Sequence, residues 1–155
     1  MYNYKLIFFC QRCKKEHDRT HEPMFETGVK CDCGGFVITP SGRTTMQIRL
    51  TADVYIIVGE KYITWIGSKT EDDARTFFYE KIEDKIVAVQ KMSHQEIAEA
   101  KFVFNPKNSE DPADFVWCTA KELLIATENL PFLIYGIDIE LYEEARRKHK
   151  KDNNL

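Results

Sequence analysis

Cys10-Gln11-Arg12-Cys13, followed after seventeen residues by Cys31-Asp32-Cys33-Gly34-Gly35, is the stretch from which the rest of the chain is read. A tight turn holds two side chains facing one point. Two such turns therefore supply the four sulfurs that a tetrahedral thiolate site needs. Gly34 and Gly35 permit positive φ, so the backbone can bend around an ion without a Cβ clash. A single residue separates Cys31 from Cys33 where two are usual, which makes the second turn the tighter one. The sequence predicts one structural zinc ion held by Cys10, Cys13, Cys31 and Cys33.

Other chemistries fit these residues less well. A redox Cys-x-x-Cys usually opens a helix, and Lys14-Lys15-Glu16-His17 starts no amphipathic one. Paired disulfides suit a secreted chain. His17 or His21 in place of one sulfur stays open as an alternative, although three residues between Cys13 and His17 are too few for a Cys₂His₂ finger. Structural zinc contributes ~10–16 kcal/mol of apparent folding energy in finger peptides, against about 5–15 kcal/mol for the net stability of whole domains. A module of some fifty residues with few large apolar side chains is thus expected to unfold without its metal.

Tyr4, the two cysteine pairs and Gly34-Gly35 together resemble the bacterial small zinc-ribbon families of the FmdB type, over residues 4–37 or about a quarter of the chain. The resemblance implies a metal-held module and no particular activity. Lys14 stands where such ribbons usually carry glycine, and the second cysteine pair is one residue short.

Outward from the cysteines, residues 4–9 and Phe36–Ile38 read as short strands. Thr39-Pro40-Ser41-Gly42 is rich in turn formers and reads as a linker, which places a zinc ribbon at 1–45 and a second domain at 46–155. In that second domain Met46–Leu50, Asp53–Val58 and Tyr62–Ile66 read as strands. A helix capped by Thr70 follows, with Ala74, Phe77, Phe78 and Ile82 on one face. Ile86–Val89 is a strand without an evident polar face. Ser93-His94-Gln95-Glu96 and Thr119-Ala120-Lys121-Glu122 are capping-box patterns that open two further helices, the second expected to run to Pro131. Phe102–Phe104, Phe115–Cys118 and Phe132–Tyr135 read as strands, 105–113 as a loop, and 139–151 as a final helix with a basic end. The order strand, capping box, helix, strand occurs in both 85–104 and 114–135, which suggests either a weak duplication or coincidence. The predicted fold class is α+β: an N-terminal Cys₄ zinc ribbon followed by a mixed α+β domain.

Composition narrows the functional classes. With 43% hydrophobic and 12% aromatic residues in 155, the chain can bury a real core. Its net charge of −3 gives no global pull toward nucleic acid or an anionic membrane. Residues 1–50 hold eight Lys or Arg against five Asp or Glu, while residues 51–155 hold fourteen against twenty. No stretch approaches the eighteen or so apolar residues of a membrane span. The first residues lack the features of a signal peptide, so a cytoplasmic protein is expected. Phe, Tyr, Met, Ile, Asn and Lys total 56 against 28 for Gly, Ala, Arg and Pro, a bias that suggests a low-GC bacterium or its phage.

Catalytic candidates are sparse. Cys118, in the apolar Phe115-Val116-Trp117 context, reads as a buried structural cysteine. His94 reads as a solvated side chain, and Glu71-Asp72-Asp73 as complements to a helix N-terminus. Asp84 with Glu99-Ala100-Lys101 is faintly similar to the carboxylate–lysine core of restriction-like nucleases, but a predicted helix lies between them. The leading expectation is a non-enzymatic adaptor or regulatory protein that binds a protein partner. The alternative is a nucleic-acid-associated factor in transcription or translation. It would grip phosphates through Arg12, Lys14, Lys15 and Arg19 on the ribbon and through Arg146, Arg147, Lys148, Lys150 and Lys151 at the C-terminus.

Overall fold

The computed structural model describes residues 2–23, 26–104 and 107–153. The chain is mixed α+β and divides into two compact units, residues 1–51 and 52–155.

In the first unit, β1 (Tyr4–Phe9) lies between β2 (Glu16–Asp18) and β5 (Thr45–Leu50), antiparallel to both. A separate hairpin pairs β3 (Val29–Lys30) with β4 (Phe36–Ile38). The small core joins Cys10, Cys31, Val37 and Ile38, with Phe8 and Val29 packed against it. Two features differ from the sequence reading. Thr39–Gly42 is a chain reversal inside this unit: Gly42 N–H donates to Thr39 C=O, Thr39 N–H donates to Arg43 C=O, and Ile38 bridges to Thr44. Turn residues mark reversals as readily as linkers, and here they send the chain back to β1. Consequently β5, assigned from sequence to the second domain, pairs with β1 from Tyr4 opposite Leu50 to Phe9 opposite Thr45. The division between units falls after Thr51, whose N–H donates to Asn3 C=O.

The second unit is built on a four-stranded antiparallel sheet in the order β11-β7-β6-β8, formed by β6 (Asp53–Gly59), β7 (Tyr62–Ser68), β8 (Ile86–Lys91) and β11 (Phe132–Asp138). On one face Tyr55, Ile57 and Ile66 pack with Ala74 and Phe78, and Phe77 and Ile82 close around them. Those last four residues come from α1 (Glu71–Phe77) and from a wider π-type turn, Phe78–Ile82, that replaces the uniform helix read from sequence. Thr70 caps α1 by accepting from Asp73 N–H, and Glu71 pairs with Arg75 at 2.7 Å. The opposite face meets Leu124 of α3 (Ala120–Ala126) at Gly67, where a Cβ would stand 2.8 Å from the leucine methyl.

Helix α2 (His94–Glu99) has the complete capping box, with Ser93 Oγ accepting from Glu96 N–H and Glu96 accepting from Ser93 N–H. Helix α3 ends at Ala126, short of the expected stop at Pro131, because Thr127 turns extended at φ −94° and ψ 128°. Strands β9 (Lys101–Phe104) and β10 (Val116–Thr119) form a two-stranded ribbon. Pro106, expected to end β9, lies with Asn105 outside the described residues; the rest of the expected loop includes a 3₁₀ turn at Pro112–Asp114. Strand β8 is an edge strand with Val87 exposed, which explains its lack of a clear polar face.

The suggested duplication is not a structural repeat. The first strand of 85–104 lies in the four-stranded sheet and its last in the ribbon, whereas 114–135 reverses that order. The basic helix α4 (Ile139–Asn153) closes the described chain.

Candidate metal centre

The first cysteine turn joins β1 to β2 and the second joins β3 to β4, so two hairpin tips present their sulfurs to each other. The two tips share one plan. Cys10 C=O accepts from Lys14 N–H at 2.9 Å, and Cys10 N–H donates to Lys15 C=O at 3.0 Å. Cys31 C=O accepts from Gly34 N–H at 2.9 Å, and Cys31 N–H donates to Gly35 C=O at 2.8 Å. In both, the residue directly after the second cysteine is left-handed, Lys14 at φ 64° and Gly34 at φ 87°. The one-residue deletion in Cys31-Asp32-Cys33 therefore shortens the turn without moving its left-handed hinge.

Gly35 serves a purpose other than the positive φ expected for it. A Cβ there would lie 2.5 Å from Arg12 Cβ and 3.0 Å from Cys10 Sγ, so glycine is needed for the close approach of the two tips. Gln11 N–H donates to Phe36 C=O at 2.9 Å, and Arg12 Nη1 donates to Cys33 C=O at 3.3 Å, which ties one tip to the other.

All four sulfurs lie within 4.8 Å of one another, with Cys10–Cys33 at 3.5 Å and Cys13–Cys31 at 3.7 Å. A tetrahedron of thiolates ~2.3 Å from a central ion has edges of about 3.8 Å. The spacing matches such a group. Cys10 and Cys31 are buried, while Cys13 and Cys33 face outward. Arg12 N–H points at Cys10 Sγ and Gly35 N–H at Cys33 Sγ, both at 3.4 Å, which orients the sulfurs and stabilises negative charge on them. The Cys10 thiol is lowered to about 6, chiefly by the backbone N–H of Cys13 with that of Arg12 assisting. The Cys13 thiol rises to about 11: the Lys15 N–H lowers it, but its crowding against Cys33 and partial desolvation outweigh that. Four crowded thiols cannot all ionise together unless a cation joins them. These residues can hold a metal ion.

Among the described residues the sulfur cluster contains no histidine. His17 sits in β2 opposite Phe8, and His21 stacks on Tyr2 at 6.3 Å.

Arg12, Lys14, Lys15 and Arg19 of the first unit have local partners, and Arg12, Lys14 and Lys15 remain exposed. Arg19 is nearly covered and pairs with Glu26 at 2.6 Å, Lys15 pairs with Asp32 at 3.7 Å, and Lys14 Nζ donates to Gln11 C=O. Arg146, Arg147, Lys148, Lys150 and Lys151 lie far along the chain on the exposed part of α4.

Elsewhere, Asp84 is almost fully buried and accepts three backbone bonds, from Lys61, Tyr62 and Lys85 N–H at 2.9, 3.1 and 2.8 Å. That structural duty separates it from Glu99, which bonds Gln95 at the end of α2. Cys118 is half-buried, less enclosed than the sequence suggested, because β10 belongs to a ribbon of only two strands. His94 is exposed at the start of α2. An open hollow of about 210 Å³ is lined by Tyr62, Thr64, Lys81, Ile82 and Gly136.

Sequence reasoning missed the exposed apolar end of the β9–β10 ribbon. Val103, Phe104, Phe115 and Val116 are 40–47% exposed and Trp117 is 66% exposed. Alternation could not reveal this, since both faces of these strands carry apolar residues.

No protein-family model, no curated protein and no solved structure matches this chain. The FmdB-type likeness rests on Tyr4 and the cysteine and glycine pattern alone. No helix among the described residues is long and apolar enough to cross a membrane.

Proposed function

We propose that the first unit is a zinc ribbon, as the FmdB-type resemblance implies, and that the chain is a non-enzymatic adaptor whose second unit binds a protein partner. Four soft thiolates in tetrahedral spacing suit zinc or iron, and of the two the FmdB-type resemblance implies zinc. Four protein ligands fill its coordination sphere, which leaves no open position for a reacting water. The metal is therefore structural.

The observation that carries the docking role is the apolar end of the ribbon. Val103 lies opposite Trp117 and Phe104 opposite Val116, with Phe115 beside them. The two pairs place exposed apolar side chains on both faces of the ribbon's end, and such aromatic anchors dominate affinity at interface centres. The ribbon is held from its other end by an aromatic group: Phe102 and Tyr135 pack on Trp65 with ring centroids 6.1 and 5.6 Å away. A firmly based, exposed apolar tip suits a docking surface.

A photo-crosslinker at Val103 in the full chain, applied in source-cell lysate, tests this. One defined protein should be captured, and Trp117→Ser, which leaves the sheet core untouched, should abolish the adduct. Capture that is unchanged by Trp117→Ser, or that is spread over many proteins, refutes the adaptor reading.

A further inference from the structure

We propose that α4 is a docking helix for nucleic-acid phosphates, with Arg146, Arg147 and Lys150 as its contact stripe, and that it acts without the ribbon cations. The inference is independent of the protein-docking tip.

Helix α4 follows β11 directly, and from Glu143 to Asp152 its residues are exposed. Its cations exceed what the C-terminal macrodipole alone favours. A helix C-terminus favours positive charge only within its last turn, which accounts for Lys150 and Lys151. Arg146, Arg147 and Lys148 stand two to four residues before Lys150, ahead of the last turn, where the macrodipole gives them less. Arg146, Arg147 and Lys150 instead line one shallow hollow of about 290 Å³ with Glu143, so the hollow keeps a net positive charge. Tyr142 stacks under the Arg146 guanidinium at 5.9 Å, and Arg147 Nε donates to Glu143 C=O at 3.4 Å. Both arginines are thereby partly ordered before any ligand arrives, which lowers the entropic cost of binding.

The distribution of apolar residues selects the class of polyanion. Ile139, Leu141, Tyr142 and Ala145 all precede Arg146, and none occurs between Arg146 and Asn153. An interfacial membrane helix needs an apolar face beneath its charges, and a protein-docking helix needs aromatic or aliphatic anchors. The basic half of α4 has neither. Phosphate binding needs neither, because counterion release supplies its free energy.

The test uses the full chain and a labelled mixed-sequence 20-nucleotide DNA, single-stranded and duplex, followed by anisotropy from 50 to 300 mM salt. Binding to either form should weaken with salt, with a log–log slope of roughly −2 to −3, as about three phosphate contacts imply. The triple variant Arg146→Gln, Arg147→Gln, Lys150→Gln keeps good helix formers and should bind at least tenfold more weakly at 50 mM salt with a flatter slope. Lys14→Gln with Lys15→Gln should bind like the parent. Undiminished binding by the α4 variant with unchanged circular dichroism overturns the proposal, as does no binding at 50 mM salt. Phosphatidylserine vesicles that displace the DNA at equal phosphate would assign the helix to membranes and also overturn it. Trp117→Ser should leave DNA binding intact, which separates this result from that of the adaptor.

Discussion

At Lys14 the backbone sits at φ 64°, a conformation in which a side chain crowds the following carbonyl. Gly34 occupies the equivalent hinge in the second tip without that strain. Lys14→Gly should therefore stabilise the first unit by about 0.5–1 kcal/mol, the relief of strain outweighing the added freedom of the unfolded chain. A calorimetric scan of the metal-loaded protein checks this, and a lower midpoint would count against the hinge. Asp84 illustrates a second residue-scale effect. Burial raises its carboxyl, but three backbone N–H donors lower it by more, leaving it below its ordinary value. Its stabilising effect is therefore present above the unfolded pKa of ~3.9 and is lost as pH falls through the lower folded value. Asp84→Asn puts an amide NH₂ where an acceptor is needed. It should cost about 1.5–3 kcal/mol at neutral pH and remove the dependence of stability on pH below about 4 that this carboxylate contributes. Urea titrations at pH 3 and 7 would measure both. Gly59 belongs to the same arrangement, since a Cβ there would strike the Asp84 carboxylate and come within 2.8 Å of the Phe78 ring. The hinge at Gly34 was legible because glycine after a cysteine pair has few other uses. The Asp84 clamp was not, because its donors lie more than twenty residues away at Lys61 and Tyr62.

Among the elements, those with chemical punctuation at their own ends were the easiest to read. Ser93 and Glu96 start α2, Thr70 starts α1 and Thr119 starts α3, each through a hydroxyl accepting an N–H three residues on. Ser93→Ala should lower the stability of the second unit by about 1 kcal/mol, because α2 carries the fully buried Ile97. Denaturation followed by the fluorescence of Trp65 and Trp117 would report it; a shift under a few tenths of a kcal/mol would show that the cap is redundant. Elements lacking such punctuation were harder. Strand β2 consists of Glu16, His17 and Asp18, polar residues whose extended form comes from backbone pairing with β1. The π-type turn after α1 has ordinary helical residues. It forms where Phe78 is buried under the sheet and Glu83 turns left-handed at φ 58°.

For the molecule as a whole, the two units differ in what holds them. The second has a core around Phe78, Ile57 and Ile66, while the first has two buried cysteines among its few core residues. Removing the metal should therefore unfold the first unit. Hydrogen exchange after chelation is expected to show lost protection at residues 4–9 and 29–38, and full protection without metal would exclude a metal-held module. Acid should act in the same direction. Metal-bound sulfurs are thiolates, whereas thiols of an unfolded chain protonate below ~8.5, so the metal's stabilisation is lost as pH falls.

The sequence by itself determined the sulfur quartet, the hinge at Gly34, the helix caps and the α+β class. These depend on covalent reach and on neighbours a few residues away. Tertiary structure decided that β5 returns to β1, that a supposed linker is a reversal, that Arg19 is covered beside Glu26, and that Trp117 stays exposed while Phe78 is covered. Those outcomes depend on which distant strand offers its free hydrogen-bonding edge and which surface remains after the sheets have paired, and local residue preference carries no record of either.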